Sequence, residues 1–165
     1  MTRGSAWRRT TRGYFVPSTI PDSTAQRILD VAPLIPPSGA LAGWVAAYIS
    51  GTDVLDGLDP FTMARQPLPV HLGHDLGRAG LPQVRYVRER LPETDRQIRH
   101  GLPVTTPLRT AFDGARWAPN LVEAVVFLDQ VAHAQRLDLA ELDGWCTPGA
   151  RWPGVKQLRR ALAFA

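Results

Sequence analysis

Pro103-Val104-Thr105-Thr106-Pro107-Leu108-Arg109-Thr110-Ala111-Phe112-Asp113 has the pattern of a strand entering a helix through a tight turn. Leu102-Pro103-Val104-Thr105 reads as the strand. Thr106 is suited to the N-cap, its hydroxyl accepting from the free amides of the first turn, and Pro107 to the first helical position, where a missing N–H costs nothing. Leu108, Phe112 (or Ala111) and Ala115 follow at helical spacing. Arg109 is out of place there, because a cation in the first turn faces the positive end of the helix dipole. Asp113 stands four residues on and Arg116 three after that. Two arrangements answer to this spacing. The commoner is an intrahelical pair on a solvated face; in the other, Arg109 reaches back to the preceding strand or a neighbouring loop, with Asp113 fixing its guanidinium.

Outward from that turn, the chain alternates helical and extended patterns. Residues 6–17, AWRRTTRGYFVP, read as a strand or hairpin. A helix is expected from Asp22-Ser23-Thr24 to about Ala32, ended by Pro33, and a second from Ala40 to Ser50 with Leu41, Trp44, Val45, Tyr48 and Ile49 on its apolar face. Trp44 and Tyr48 are expected in the core. After a polar loop over 52–67, strands are expected at Leu68–His74, Val84–Arg90 and Gln97–Arg99. The strongest helix spans Pro119–Gln135, with Leu121, Val125, Leu128 and Ala132 as its stripe. A shorter one follows at Asp138–Cys146. Pro153 opens a last helix with Val155, Leu158 and Leu162 inward and Lys156, Arg159 and Arg160 outward. The order implies one α+β domain, a small mixed sheet packed by several helices.

With 165 residues and 44% hydrophobic content the chain can bury a core. No apolar run approaches the roughly 20 residues that span a bilayer, and no signal-peptide core follows the basic start. One cysteine, Cys146, rules out an internal disulfide, and it is expected to be packed. The expected compartment is cytoplasmic. Charge is uneven. Arg3, Arg8, Arg9 and Arg12 precede the first acid, and Arg151, Lys156, Arg159 and Arg160 follow the last, so a net −4 body lies between two +4 ends. Arg8, Arg9 and Arg12 lie among Trp7, Tyr14 and Phe15, a combination suited to phosphate contact and base stacking. Lys156, Arg159 and Arg160 are the matching candidates at the other end. Arg85, Arg88 and Arg90, with Glu89, Glu93 and Asp95 nearby, read as a solvated face.

Catalytic patterns are sparse. A PD-(D/E)xK nuclease needs an acid two residues before its lysine so that both reach one metal-bound water, but Gly154 precedes the sole lysine, Lys156. Neither a G-x-x-x-x-G-K-[ST] nor a G-x-G-x-x-G loop is present. His71 and His74 of HLGHD would point to opposite faces of a strand, so no metal site is expected. The chain therefore reads as non-enzymatic, without cofactor.

GLPVTTPLRTAFDGAR resembles the (I/V)T(S/D)PxRTxxD signature of AbiEi-like antitoxins and transcriptional regulators, of the actinobacterial type that often precedes a Vsr-like nuclease domain. In that resemblance Thr106, Arg109 and Asp113 are the structural signature. The AWRRTTRGYFVP segment resembles the wing of the family's N-terminal winged helix, and RWPGVKQLRRAL its RPGxxxLRxAL helix. The resemblance implies residues 1–20 as a remnant wing hairpin and 21–165 as the AbiEi-like α+β domain, without the recognition helix or the nuclease. It also implies a non-catalytic module binding nucleic acid or a cognate toxin, nuclease or phage protein in toxin–antitoxin or phage-defence settings. The alternatives are the front portion of a split Vsr-like endonuclease and a protein-interaction module that sequesters a partner.

Overall fold

The computed structural model describes residues 6–11, 13–59, 62–74, 80–146 and 152–165. Arg3, Arg12, Asp75 and Arg151 lie outside the described residues. The fold is mixed α+β: a five-stranded mixed sheet, six α-helices and an N-terminal two-stranded hairpin.

The hairpin pairs β1 (Trp7–Thr11) with β2 (Tyr14–Pro17), with Trp7 opposite Pro17, Arg9 opposite Phe15 and a register shift before Thr11. It packs on α1 (Thr24–Val31), where the Ser23 hydroxyl accepts from the Gln26 amide at 3.1 Å. Pro33 falls in a single 3-10 turn, Ala32–Leu34, that ends the helix. The main sheet comprises β3 (Ala40–Leu41), β4 (Leu68–His71), β5 (Val84–Val87), β6 (Arg96–Arg99) and β7 (Leu102–Thr105), in the order β5-β4-β3-β7-β6. β3 runs parallel to β7 and antiparallel to β4. The β6–β7 turn is His100-Gly101, both at positive φ (49° and 77°), as a tight hairpin matched to strand twist requires.

Three expectations need correction here. Ala40 and Leu41 begin no helix: fully buried, they form the central strand, pairing with His71 and Val70 on one side and, through Leu41, with Val104 on the other. The helix proper, α2, runs Gly43–Ile49. The strands also end early, β4 at His71 and β5 at Val87. Gly73, at φ 61°, turns the chain after β4.

α3 (Pro107–Trp117) is the axis of the helical layer, touching β7, α2, α4 (Leu121–Gln135), α5 (Leu139–Trp145) and α6 (Val155–Leu162). Arg109 through Arg116 are all buried, so its middle has no solvated face. Thr106 is at the N-cap, but its hydroxyl makes no capping bond. Its amide donates to the Asp95 carbonyl at 2.9 Å and its carbonyl accepts from the Thr110 amide at 2.8 Å, while Thr105 and Thr110 join hydroxyls at 2.7 Å. The stripe of α4 is met in part: Leu128 is fully buried and Leu121 and Val125 pack half-buried on the core, while Ala124, Phe127 and Val131 complete the buried face. Gly114 on α3 makes room for one of them, since a Cβ there would lie 2.1 Å from the Phe127 ring.

Candidate nucleic-acid interface and buried ion cluster

Alternation along β1 and β2 gives the hairpin two unlike faces. Trp7 and Arg9 share the outer face with Phe15 and Pro17, and Trp7 and Phe15 are 58% and 57% exposed. Tyr14, beside the register shift, is also exposed. Arg9 Nε donates to the Thr11 carbonyl at 3.3 Å, and its terminal nitrogens have no partner among the described residues. Arg8 points the other way. Its Nη1 donates to Asp30 Oδ2 of α1 at 3.3 Å, which commits that charge to holding the hairpin on the domain.

At the opposite end of the chain, Val155, Leu158 and Ala161 bury one side of α6. Gln157 ties the helix down by donating to the Ala115 and Ala118 carbonyls at 3.1 and 2.8 Å. Lys156, Arg159 and Arg160 are exposed, and Arg159 Nη2 donates to the Cys146 carbonyl at 3.0 Å. The hairpin rests on α1 and α6 on α3, α4 and α5, so the two basic ends belong to different parts of the domain.

The charges of the signature form a separate, buried centre. Arg109 is 2% exposed and Asp113 fully buried. Asp113 Oδ2 accepts from His71 Nε2 at 2.7 Å and from Arg109 Nε at 2.9 Å. Its Oδ1 accepts from Arg116 Nη2 and Nε at 2.8 and 3.2 Å. Four donors fill the capacity of a carboxylate. Because ionised Asp113 can only accept, His71 Nε2 carries the proton. The 3.4 Å approach of Arg109 Nη2 to that nitrogen is thus a contact between two donors. His71 Nδ1 is buried without a partner.

Arg109 Nη1 reaches Asp95 Oδ2 at 3.1 Å and the Arg90 carbonyl at 3.3 Å. Arg116 grips both carboxylate oxygens of Glu89 and the Pro153 carbonyl. Rings cover the guanidinium faces, with Arg116 4.8 Å from the Trp117 centroid and Arg109 5.4 Å from that of Trp152. One cluster therefore joins β4, the segment after β5, the turn before β6, α3 and the start of the C-terminal segment. Burial pushes the Asp113 carboxyl up, but the His71 hydrogen bond and the charges of His71, Arg109 and Arg116 outweigh it and hold the group below the ordinary carboxylate range.

Of the two arrangements open to Arg109 and Asp113, this is the tie to a neighbouring loop; the solvated pair is corrected. Glu89 and Asp95, read as solvating a basic strand, turn inward onto the arginines instead. No sequence spacing marks His71 as a partner of Asp113; the structure brings it there at the end of a wholly buried strand. With both ring and carboxylate sealed, the His71–Asp113 pair has no face to offer a substrate. Among the described residues, no group of three or more His, Cys, Asp or Glu is placed to hold a metal ion, and no helix is long and apolar enough to cross a membrane. Burial raises the pKa of the packed Cys146 thiol. Compared with known proteins, the chain matches no family profile, no curated protein and no solved structure.

Proposed function

We propose that this protein is a non-catalytic nucleic-acid-binding module of regulator or antitoxin type, consistent with the AbiEi-like resemblance of its signature and hairpin. The observation that carries the reading is the outer face of the hairpin, where Arg9 stands opposite Phe15 and two residues along from Trp7, both rings exposed. Aromatic faces stack on bases without regard to sequence, and a guanidinium beside them neutralises phosphate. Unpaired bases are the better substrate, because stacking needs a free base face. Lys156 and Arg160 on α6 provide a second, purely electrostatic contact.

Fluorescence anisotropy with labelled single-stranded and duplex oligonucleotides at low salt tests this. Salt-sensitive, sequence-tolerant binding that prefers the single strand is expected, and it should drop in Trp7→Ala and Phe15→Ala. Absence of binding at low salt would reject the proposal and turn the same exposed face into a protein-docking surface.

A further inference from the structure

A pocket of about 430 Å3 opens between α2, the end of α3, α4 and the loop before β4. Its walls include three rings, each laid against a glycine. A Cβ on Gly57 would come within 2.3 Å of Trp44, one on Gly114 within 2.1 Å of Phe127, and one on Gly43 within 3.3 Å of Trp117. Only hydrogen fits at Gly57 and Gly114, and at Gly43 the Trp117 ring leaves little room for more. Its size suits a small molecule. Among the pocket's lining residues, Arg85 has its guanidinium 4.6 Å from the Trp117 centroid and makes no hydrogen bond or ion pair among the described residues. Glu123, on the first turn of α4, also lines the pocket.

We propose that this pocket binds a small aromatic carboxylate, its ring among Trp44, Trp117 and Phe127 and its carboxylate on Arg85. A planar, apolar body matches the three-ring wall. One guanidinium with a ring beside it but no carboxylate bonded to it among the described residues calls for one anionic group, and Glu123 on the same wall disfavours a second negative charge. Arg85 also has reason to accept a counter-charge: partial burial, then the positive charge of Arg116, lowers its pKa against the opposing pull of Glu89 and Asp113. An arriving carboxylate offsets the burial and the Arg116 charge. The site is independent of the nucleic-acid face, so either can fail alone.

Isothermal titration of the full chain with indole-3-acetate, its neutral amide, tryptamine and inorganic phosphate tests the assignment. The carboxylate should bind saturably, with the amide and the cation at least about tenfold weaker, the equivalent of one charge-assisted hydrogen bond of about 1.4 kcal/mol. Arg85→Gln, at an exposed position, should reduce the carboxylate to the level of the amide. Val126→Trp, at the half-open rim, should block all binding while circular dichroism confirms the fold. No saturable binding, equal affinity for acid and amide, indifference to Arg85→Gln, or phosphate binding as tight as the carboxylate would each overturn the proposal.

Discussion

The hairpin and the cluster under α3 are built from the same materials, arginines beside aromatic rings, yet their side chains stand in opposite states. In the cluster, Asp113 is saturated by four donors and the guanidinium faces are covered by rings. On the hairpin, Arg9 makes a single bond to a carbonyl and its neighbours Trp7 and Phe15 are more than half exposed. An arginine next to a tryptophan is thus a brace or a contact surface according to whether carboxylates reach it. Substitutions should separate the two regions: in the cluster they should cost stability, on the hairpin binding.

The largest effect belongs to Asp113→Ala. It takes one of two carboxylates from each of two buried guanidiniums, leaving Asp95 on Arg109 and Glu89 on Arg116, and the carboxylate partner from a buried imidazole; breaking buried pairs of this kind costs about 3–5 kcal/mol. Urea unfolding should show this loss, and Arg109→Ala with Asp113→Ala should lose less than the sum of the single changes. A loss of a few tenths would mean that the cluster is no brace. Acid gives the same test without a side-chain deletion. Folding lowers the pKa of Asp113, so the unfolded chain takes the proton first, and the stability this group supplies is complete above the ordinary value of 3.8 and drains as pH falls below it. Asp113→Asn should remove that part of the acid limb; an unchanged acid profile would assign it to other carboxylates.

Gly154→Ala comes next. Gly154 has φ 83°, and a Cβ there would lie 2.1 Å from the Arg116 carbonyl, so the change should push the start of α6 off α3 and cost about 1–3 kcal/mol. Full stability in that variant would show that the C-terminal segment is only loosely held.

How far the sequence reveals these regions follows from the range of the interactions involved. The β7–α3 unit is legible because its signals are local: a capping position, Pro107 at the first helical residue and a four-residue spacing from Arg109 to Asp113. The hairpin is legible for the same reason, through its β-formers and the glycine at 13. The two-residue strand β3 is not. Ala40 and Leu41 carry no strand signal of their own and become a strand only because β4 and β7 flank them. The cluster is half legible. Arg109 and Asp113 show their spacing, but His71, Glu89 and Asp95 arrive from elsewhere, and a charge pattern along the chain cannot tell an acid that solvates a strand from one that turns beneath it. The face of α4 is legible in part: Leu128 is on it, but apolar residues lie all round this helix, and Val122 and Val126 are as apolar as their buried neighbours yet exposed.

On the hairpin the order of effects reverses. Trp7→Ala or Phe15→Ala should change folding stability by less than about 0.5 kcal/mol, as surface substitutions do. Each should weaken single-strand binding by about 1–3 kcal/mol per stacked base. A large loss of stability with no loss of binding would place these rings in an interface with the rest of the domain.

Arg9→Ala is the smallest and most specific test. Arg9 has no carboxylate partner among the described residues, so removing it leaves no buried charge behind and the fold should be indifferent. If it contacts one phosphate, the log–log dependence of affinity on salt should flatten by about 0.7 on a single strand or about 0.9 on duplex. Arg8→Ala is the internal control, because Arg8 is held by Asp30 on the inner face. It should loosen the hairpin slightly and leave the slope nearly unchanged. Were Arg8 to flatten the slope and Arg9 not, the hairpin would present its other face to the nucleic acid, and the division between brace and contact surface drawn for these two neighbouring arginines would have to be inverted.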